Sequence, residues 1–167
     1  EKKNKIKDNY HPKSENKITN IVAQYLKQEL KVIVNREVQI NSKGQDKGDS
    51  TDIKIEAQNE NNVLTVIIEA KGSWNKKLKV AMKNQLVQQY LDNHTCNSGI
   101  YLIYYILDNS RLDKESSYYK NTLKTKEFRN LKGYRKYYEN QAEKIAQKTN
   151  KNIKSFVLDC TFEQKSK

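Results

Sequence analysis

The sequence predicts an α/β fold, a mixed α+β sheet with helices packed on it, in the order α-β-β-β-α-β-α-β. Three observations carry this. Apolar residues recur at helical spacing in three segments, five other segments alternate or run continuously apolar, and polar clusters separate them. A chain of 167 residues suits one domain around a single core. Only 35% of its residues are hydrophobic, which suffices because they are clustered rather than scattered.

Residues 1–14 read as a basic lead-in, and residues 15–167 as the folded domain. In residues 15–31, Ile18, Ile21, Val22, Tyr25, Leu26 and Leu30 fall on one helical face. "VIVNREVQI" (32–40) reads as a first strand, and 41–50, with two glycines, as a polar loop. "TDIKIEAQ" (51–58) alternates, placing Ile53, Ile55 and Ala57 on one side. "NENN" turns the chain into "VLTVIIEAK" (63–71), whose continuous apolar run predicts a central strand. A second helix is expected over 77–93 and a strongly apolar strand over 99–107. Residues 108–130 are basic and tyrosine-rich and predict an insertion with little fixed structure. A third helix over 133–150 and a last strand over 153–162 complete the order.

The formal net charge is +12, from 32 Lys+Arg against 20 Asp+Glu. Such a balance points to a phosphate-rich partner, nucleic acid. An alternative stays open: Lys, Asn, Tyr and Ile are inflated together, as in AT-rich coding, and only Arg36, Arg111, Arg129 and Arg135 are arginines. No stretch approaches the apolar length of a membrane span, and the N-terminus lacks the apolar core of a signal peptide. The chain does not start with Met, so a piece of a larger protein is expected. Cys96 and Cys160 are far apart, and His11 and His94 have no partner at metal-ligand spacing. Zinc and disulfide frameworks are therefore not expected, and a reducing, cytoplasmic setting fits.

The strand 63–71 ends in charges. Glu69 and Lys71 share one face of it, and the hairpin brings Asp52 toward them. Two neighbouring carboxylates repel each other unless a cation lies between them. Oxygen ligands of this kind suit Mg²⁺, with Mn²⁺ as a substitute, and a lysine beside the ion can act on water or on phosphate charge. The acid-x-lysine pattern alone is weak, since it recurs at Glu1, Glu15, Asp52 and Glu163. Only at Glu69 does it combine an apolar strand, an upstream acid on a paired strand and a following helix. The plain alternative is a surface ion pair on an edge strand, which the surrounding apolar run disfavours.

"STDI" followed by "VIIEAKGSW" resembles the PD-(D/E)xK nuclease superfamily, and the element order is similar along almost the whole chain. The resemblance implies a restriction-endonuclease-like core and a Mg²⁺-dependent hydrolase, an endonuclease cutting DNA. It implies metal ligands at Asp52, Glu69 and the Ala70 carbonyl, with Lys71 assisting the water. Thr51 stands where the family usually has Pro. Glu15 matches the acidic residue that many members carry on the first helix and that reaches the metal; the other reading is a helix-start acid with Ser14 as N-cap. "QLVQQY" is similar to the QxxxY element of one exonuclease branch, with Gln85 as the site residue, although Gln85 to Tyr90 is one residue too long. Restriction, antiviral defence or a toxin effector role are all compatible. A homodimer is compatible too, although the sequence carries no dimer signature. Rival readings are an inactive DNA-binding module on the same fold, a junction-resolving or RNA-cleaving nuclease, and a plain interaction domain.

For substrate, Trp74, Lys76 and Lys77 follow the lysine strand directly. Residues 111–137 hold nine basic residues against three acids, including Arg111, Lys114, Lys120, Lys124, Lys126 and Arg129. Tyr118, Tyr119, Tyr134, Tyr137 and Tyr138 are interleaved. Such residues neutralise phosphates and stack on unpaired bases; a solvated charged face is the alternative.

Overall fold

Five strands form one mixed sheet in chain order in the computed structural model of the protein. It describes residues 13–40, 49–58, 60, 62–92, 96–107, 114–123 and 130–161. The elements are α1 (Glu15–Glu29), β1 (Ile33–Ile40), β2 (Asp49–Gln58), β3 (Val63–Gly72) and α2 (Leu78–Ala81 continuing through Met82–Leu91). Then come β4 (Ser98–Tyr105), α3 (Ser117–Thr122), α4 (Leu131–Thr149) and β5 (Asn152–Asp159). β1, β2 and β3 form an antiparallel meander, while β3, β4 and β5 run parallel. The parallel pairs need crossovers, which α2 and the α3–α4 region supply.

Alternation along the strands divides the apolar residues between two layers. On one face Ile53 and Ile68 bury with Ala23 of α1, and Val22, Leu26, Val34, Ile55, Ile100 and Leu102 pack around them. On the other, Ile67, Tyr101, Ile103, Ile153 and Val157 bury against α2 and α4. Fully burying each such side chain contributes about 1.5–3 kcal/mol. α4 reaches this layer through Tyr134, Tyr138 and Ala142, spaced four apart on one helical face. It ends at Asn150, whose φ of 54° is the left-handed stop that Asn tolerates. Gly99 lets α2 lie close on β4, because a Cβ there would stand 2.9 Å from Leu91 Cδ1.

Three expectations need correction. The helix following β3 is not α-helical throughout: Met82–Leu91 is π-helical, and the Asp92 N–H donates to the Val87 carbonyl, five residues back. Within the segment 108–130, the described residues 114–123 hold a short helix, α3, capped by Ser116 Oγ accepting from the Tyr119 N–H. β2 begins at Asp49 rather than after the polar loop, so Asp52 lies inside a strand. Among the described residues, no helix is long and apolar enough to cross a membrane.

Candidate active site

β3 is central, and its last residues carry the charges. Glu69 and Lys71 share the face of Ile67, so they face the α2–α4 layer and not water. Glu69 is 1% exposed and Lys71 9%. Lys71 Nζ donates to Glu69 Oε1 and to the Ala70 carbonyl at 3.3 Å. Asp52 lies on the same face, one position beyond Ile53, which pairs with Ile68.

The register explains how the acids are positioned. Pairing of β2 with β3 runs from Gln58↔Val63 to Ile53↔Ile68. Beyond that point the Ala70 N–H donates to Asp52 Oδ2 at 2.8 Å, a side chain taking the place of a strand carbonyl. Two residues on, the Gly72 N–H donates to Glu15 Oε1 at 2.8 Å. Successive outward N–H groups of β3 are thus satisfied by two carboxylates, which draws both to the strand end. Glu15 Oε1 also accepts from Asn75 Nδ2 at 2.7 Å, while Asn75 Oδ1 accepts from the Lys77 N–H. Ser14 occupies the N-cap position, but its side chain makes no capping bond.

Burial, and then the neighbouring Asp52 charge, push the Glu69 carboxyl up to about 7; Lys71 opposes this and only partly offsets it. Burial alone would lower Lys71, but the charge and hydrogen bond of Glu69, with Asp52 and Glu15 adding, raise it. Lys71 is therefore a firm cation, and Glu69 is an acid whose countercharge is incomplete.

Among the described residues no three His, Cys, Asp or Glu side chains come together as a metal-ligating group. The donor set would be Asp52, Glu69 and the Ala70 carbonyl. Two carboxylates and one carbonyl fit Mg²⁺, which takes few protein ligands and keeps waters or substrate phosphate. The burial of Glu69 beside Asp52 favours this fit, because a divalent cation would relieve both burial and repulsion. Glu15 stands near enough to act on Lys71, with Oε1 engaged by Gly72 and Asn75.

The strand end opens into a cleft of about 710 Å³ lined by Glu15, Lys71, Trp74, Lys77, Gln85 and Tyr118, among others. Its position outside the carboxyl end of a parallel strand is where open α/β sheets commonly bind ligands. Gln85 projects here from the π-helical part of α2, and its Oε1 is buried with no partner among the described residues. With i→i+5 bonding, Gln85 and Tyr90 stand one turn apart, as i and i+4 would in an α-helix. Tyr90 itself is buried in the core.

Of the expected nucleic-acid residues, Trp74, Lys76 and Lys77 line the cleft. Lys114 is exposed, and Lys120 is exposed and paired with Glu115 at 2.7 Å; neither lines it. Arg111, Lys124, Lys126 and Arg129 lie outside the described residues, as do His11 and His94. Tyr134 and Tyr138 do not face substrate: both are 0% exposed, because helical spacing turns them to the core. Asn75 belongs to the site although the sequence reading did not single it out; Tyr118, expected among the stacking tyrosines, lines the cleft. Asn75 offered one signal, an Asx residue two positions before Lys77 at a helix start.

A family model described as a domain of unknown function (DUF8371) matches residues 4–108, more than half of the chain. That span contains Glu15, Asp52, Glu69, Lys71 and Gln85. No curated protein and no solved structure matches.

Proposed function

We propose that this chain, which belongs to the DUF8371 family, is a Mg²⁺-dependent nuclease that hydrolyses DNA phosphodiester bonds on a restriction-endonuclease-like core. One observation carries the reading: Glu69, Asp52 and Lys71 meet on one sheet face, and Lys71 opens into a cleft lined also by Lys76 and Lys77. The meander, the two parallel crossovers and the position of the acids on the second and third strands support the fold assignment.

Hydrolysis adds water across the ester: its oxygen bonds phosphorus, one sugar oxygen leaves, and that oxygen gains a proton. Asp52, Glu69 and the Ala70 carbonyl would hold the ion, which when bound supplies Lewis-acid polarisation and a more acidic water. Lys71, as a cation with only donors, holds a water or a phosphate oxygen and offsets the charge that grows on phosphate. It does not serve as the proton acceptor while protonated. Glu15 and Asn75 fix the turn after Lys71, and Gln85 contributes an amide to the cleft lining.

A supercoiled plasmid incubated with Mg²⁺, with EDTA, and with Lys71→Ala protein tests this. Nicking or linearisation only with Mg²⁺, and its loss in Lys71→Ala, is the expected result. The Lys71–Glu69 pairing favours one second reading, a binding module whose site neutralises itself. That reading predicts salt-sensitive retention on DNA with no Mg²⁺-dependent product. Parallel branched, single-stranded and RNA substrates separate the remaining polynucleotide choices.

A further inference from the structure

Hydrolysis alone does not account for the aromatic wall of the cleft. Trp74 and Tyr118 both line it, with ring centroids 5.7 Å apart and planes inclined by 50°. Their placement is built in. A Cβ on Gly72 would come within 2.5 Å of the Trp74 ring, so the indole lies directly on the main chain of β3. Ser73 Oγ and Thr122 Oγ1 share a hydrogen bond of 3.0 Å, and Tyr134 Oη donates to the Thr122 carbonyl at 3.0 Å. These bonds fasten α3, and with it Tyr118, beside the strand end. Trp74 is only partly buried, unlike an aromatic that caps a core.

We infer that this cleft takes an unpaired nucleotide, its base stacked on the Trp74–Tyr118 wall and its phosphate toward Lys71, Lys76 and Lys77. The preferred substrate is then a single strand or a frayed end rather than intact duplex. The inference rests on the nuclease reading for what Lys71 does to that phosphate. A paired base keeps its faces in the helical stack and its N–H donors in the pair. An unpaired base presents both, a π-face for the aromatic wall and an edge toward Gln85, which lines the same cleft. At about 710 Å³ the open cleft has room for one nucleotide. A duplex is instead gripped over roughly 1,000–2,500 Å² of protein surface.

Trp74 is the single tryptophan, so its emission reports on this wall. The full chain is titrated in EDTA with oligothymidylate and with a blunt duplex at equal nucleotide concentration. Saturable quenching by oligothymidylate, about tenfold weaker or more for the duplex, is expected. By anisotropy of a labelled strand, Trp74→Ala and Tyr118→Ala each weaken binding about tenfold or more, the loss of a stacking partner. Trp74→Phe retains binding, which separates stacking from misfolding. Equal quenching by duplex, or none by oligothymidylate, overturns the inference. Parallel Mg²⁺ cleavage keeps the two readings apart. Cutting of plasmid or of oligothymidylate without quenching overturns the nucleotide site alone; quenching with neither strand nor plasmid cut supports that site and overturns the nuclease reading.

Discussion

The two halves of β3 invert the usual rule of burial. At its start Val63 and Leu64 are each 60% exposed, while near its end Glu69 is 1% exposed. Position in the sheet explains the inversion. β4 joins β3 only from Val66 onward, so the first three residues project with β2 as a two-stranded ribbon. From Glu69 to Gly72 the strand has β4 beside it and helices over it. Exposed apolar side chains at a hairpin tip cost little. Buried charges cost much unless paired, so a sequence that keeps them there is read for chemistry.

The sharpest way to break this comparison is Lys71→Ala. Mg²⁺-dependent cleavage is expected to fall about 100-fold or more, as when a charge-stabilising donor is lost. Circular dichroism should still show a folded chain, because Glu69, left alone, takes up a proton. Unaltered cutting would detach Lys71 from the chemistry. Next in size is Gly72→Ala, whose added methyl meets the Trp74 ring. Overpacking of this kind costs about 1–3 kcal/mol in denaturant unfolding, with a shift in Trp74 emission.

The pH response sharpens the contrast further. The folded pKa of Glu69, about 7, lies above its ordinary value of 4.5. Between those values the folded chain holds a proton that the unfolded chain has released. The stability from neutral Glu69 is fully present below pH 4.5 and is lost as pH rises through about 7. The slope is at most about 1.4 kcal/mol per pH unit. Melts across this window should show it in metal-free buffer, and Mg²⁺ or Glu69→Gln should flatten it. The smallest effect belongs to the ribbon, where Val63→Thr should stay within about 0.5 kcal/mol. A larger loss there would mean that the exposed end is covered by a partner.

Much of the fold was legible because each signal was local. Ile18, Val22, Tyr25 and Leu26 define a helix by spacing, and Ile53 and Ile55 define a strand by alternation. The shared face of Asp52, Glu69 and Lys71 followed from period two and one hairpin. What escaped was set by tertiary contact. α3 exists where Ser73, Thr122 and Tyr134 lock together, and no periodicity of residues 117–122 announces it. The π-helix of Met82–Leu91 likewise leaves a trace only in the long step from Gln85 to Tyr90. Tyrosines 134 and 138 read as surface aromatics in a lysine-rich run, but the helical face decides, and they are core. Neither Asn75 nor the Trp74–Tyr118 wall was visible as a unit, since their partners lie 60 and 44 positions away.

The bond from Gly72 to Glu15 spans 57 residues of chain. Closing a loop of that length carries an entropic penalty that only later contacts reward, so it is a late event in folding. A nascent β2–β3 hairpin therefore has Asp52, Glu69 and Lys71 without their anchoring helix. The site, on this geometry, is complete only once the first helix has docked on the end of the strand.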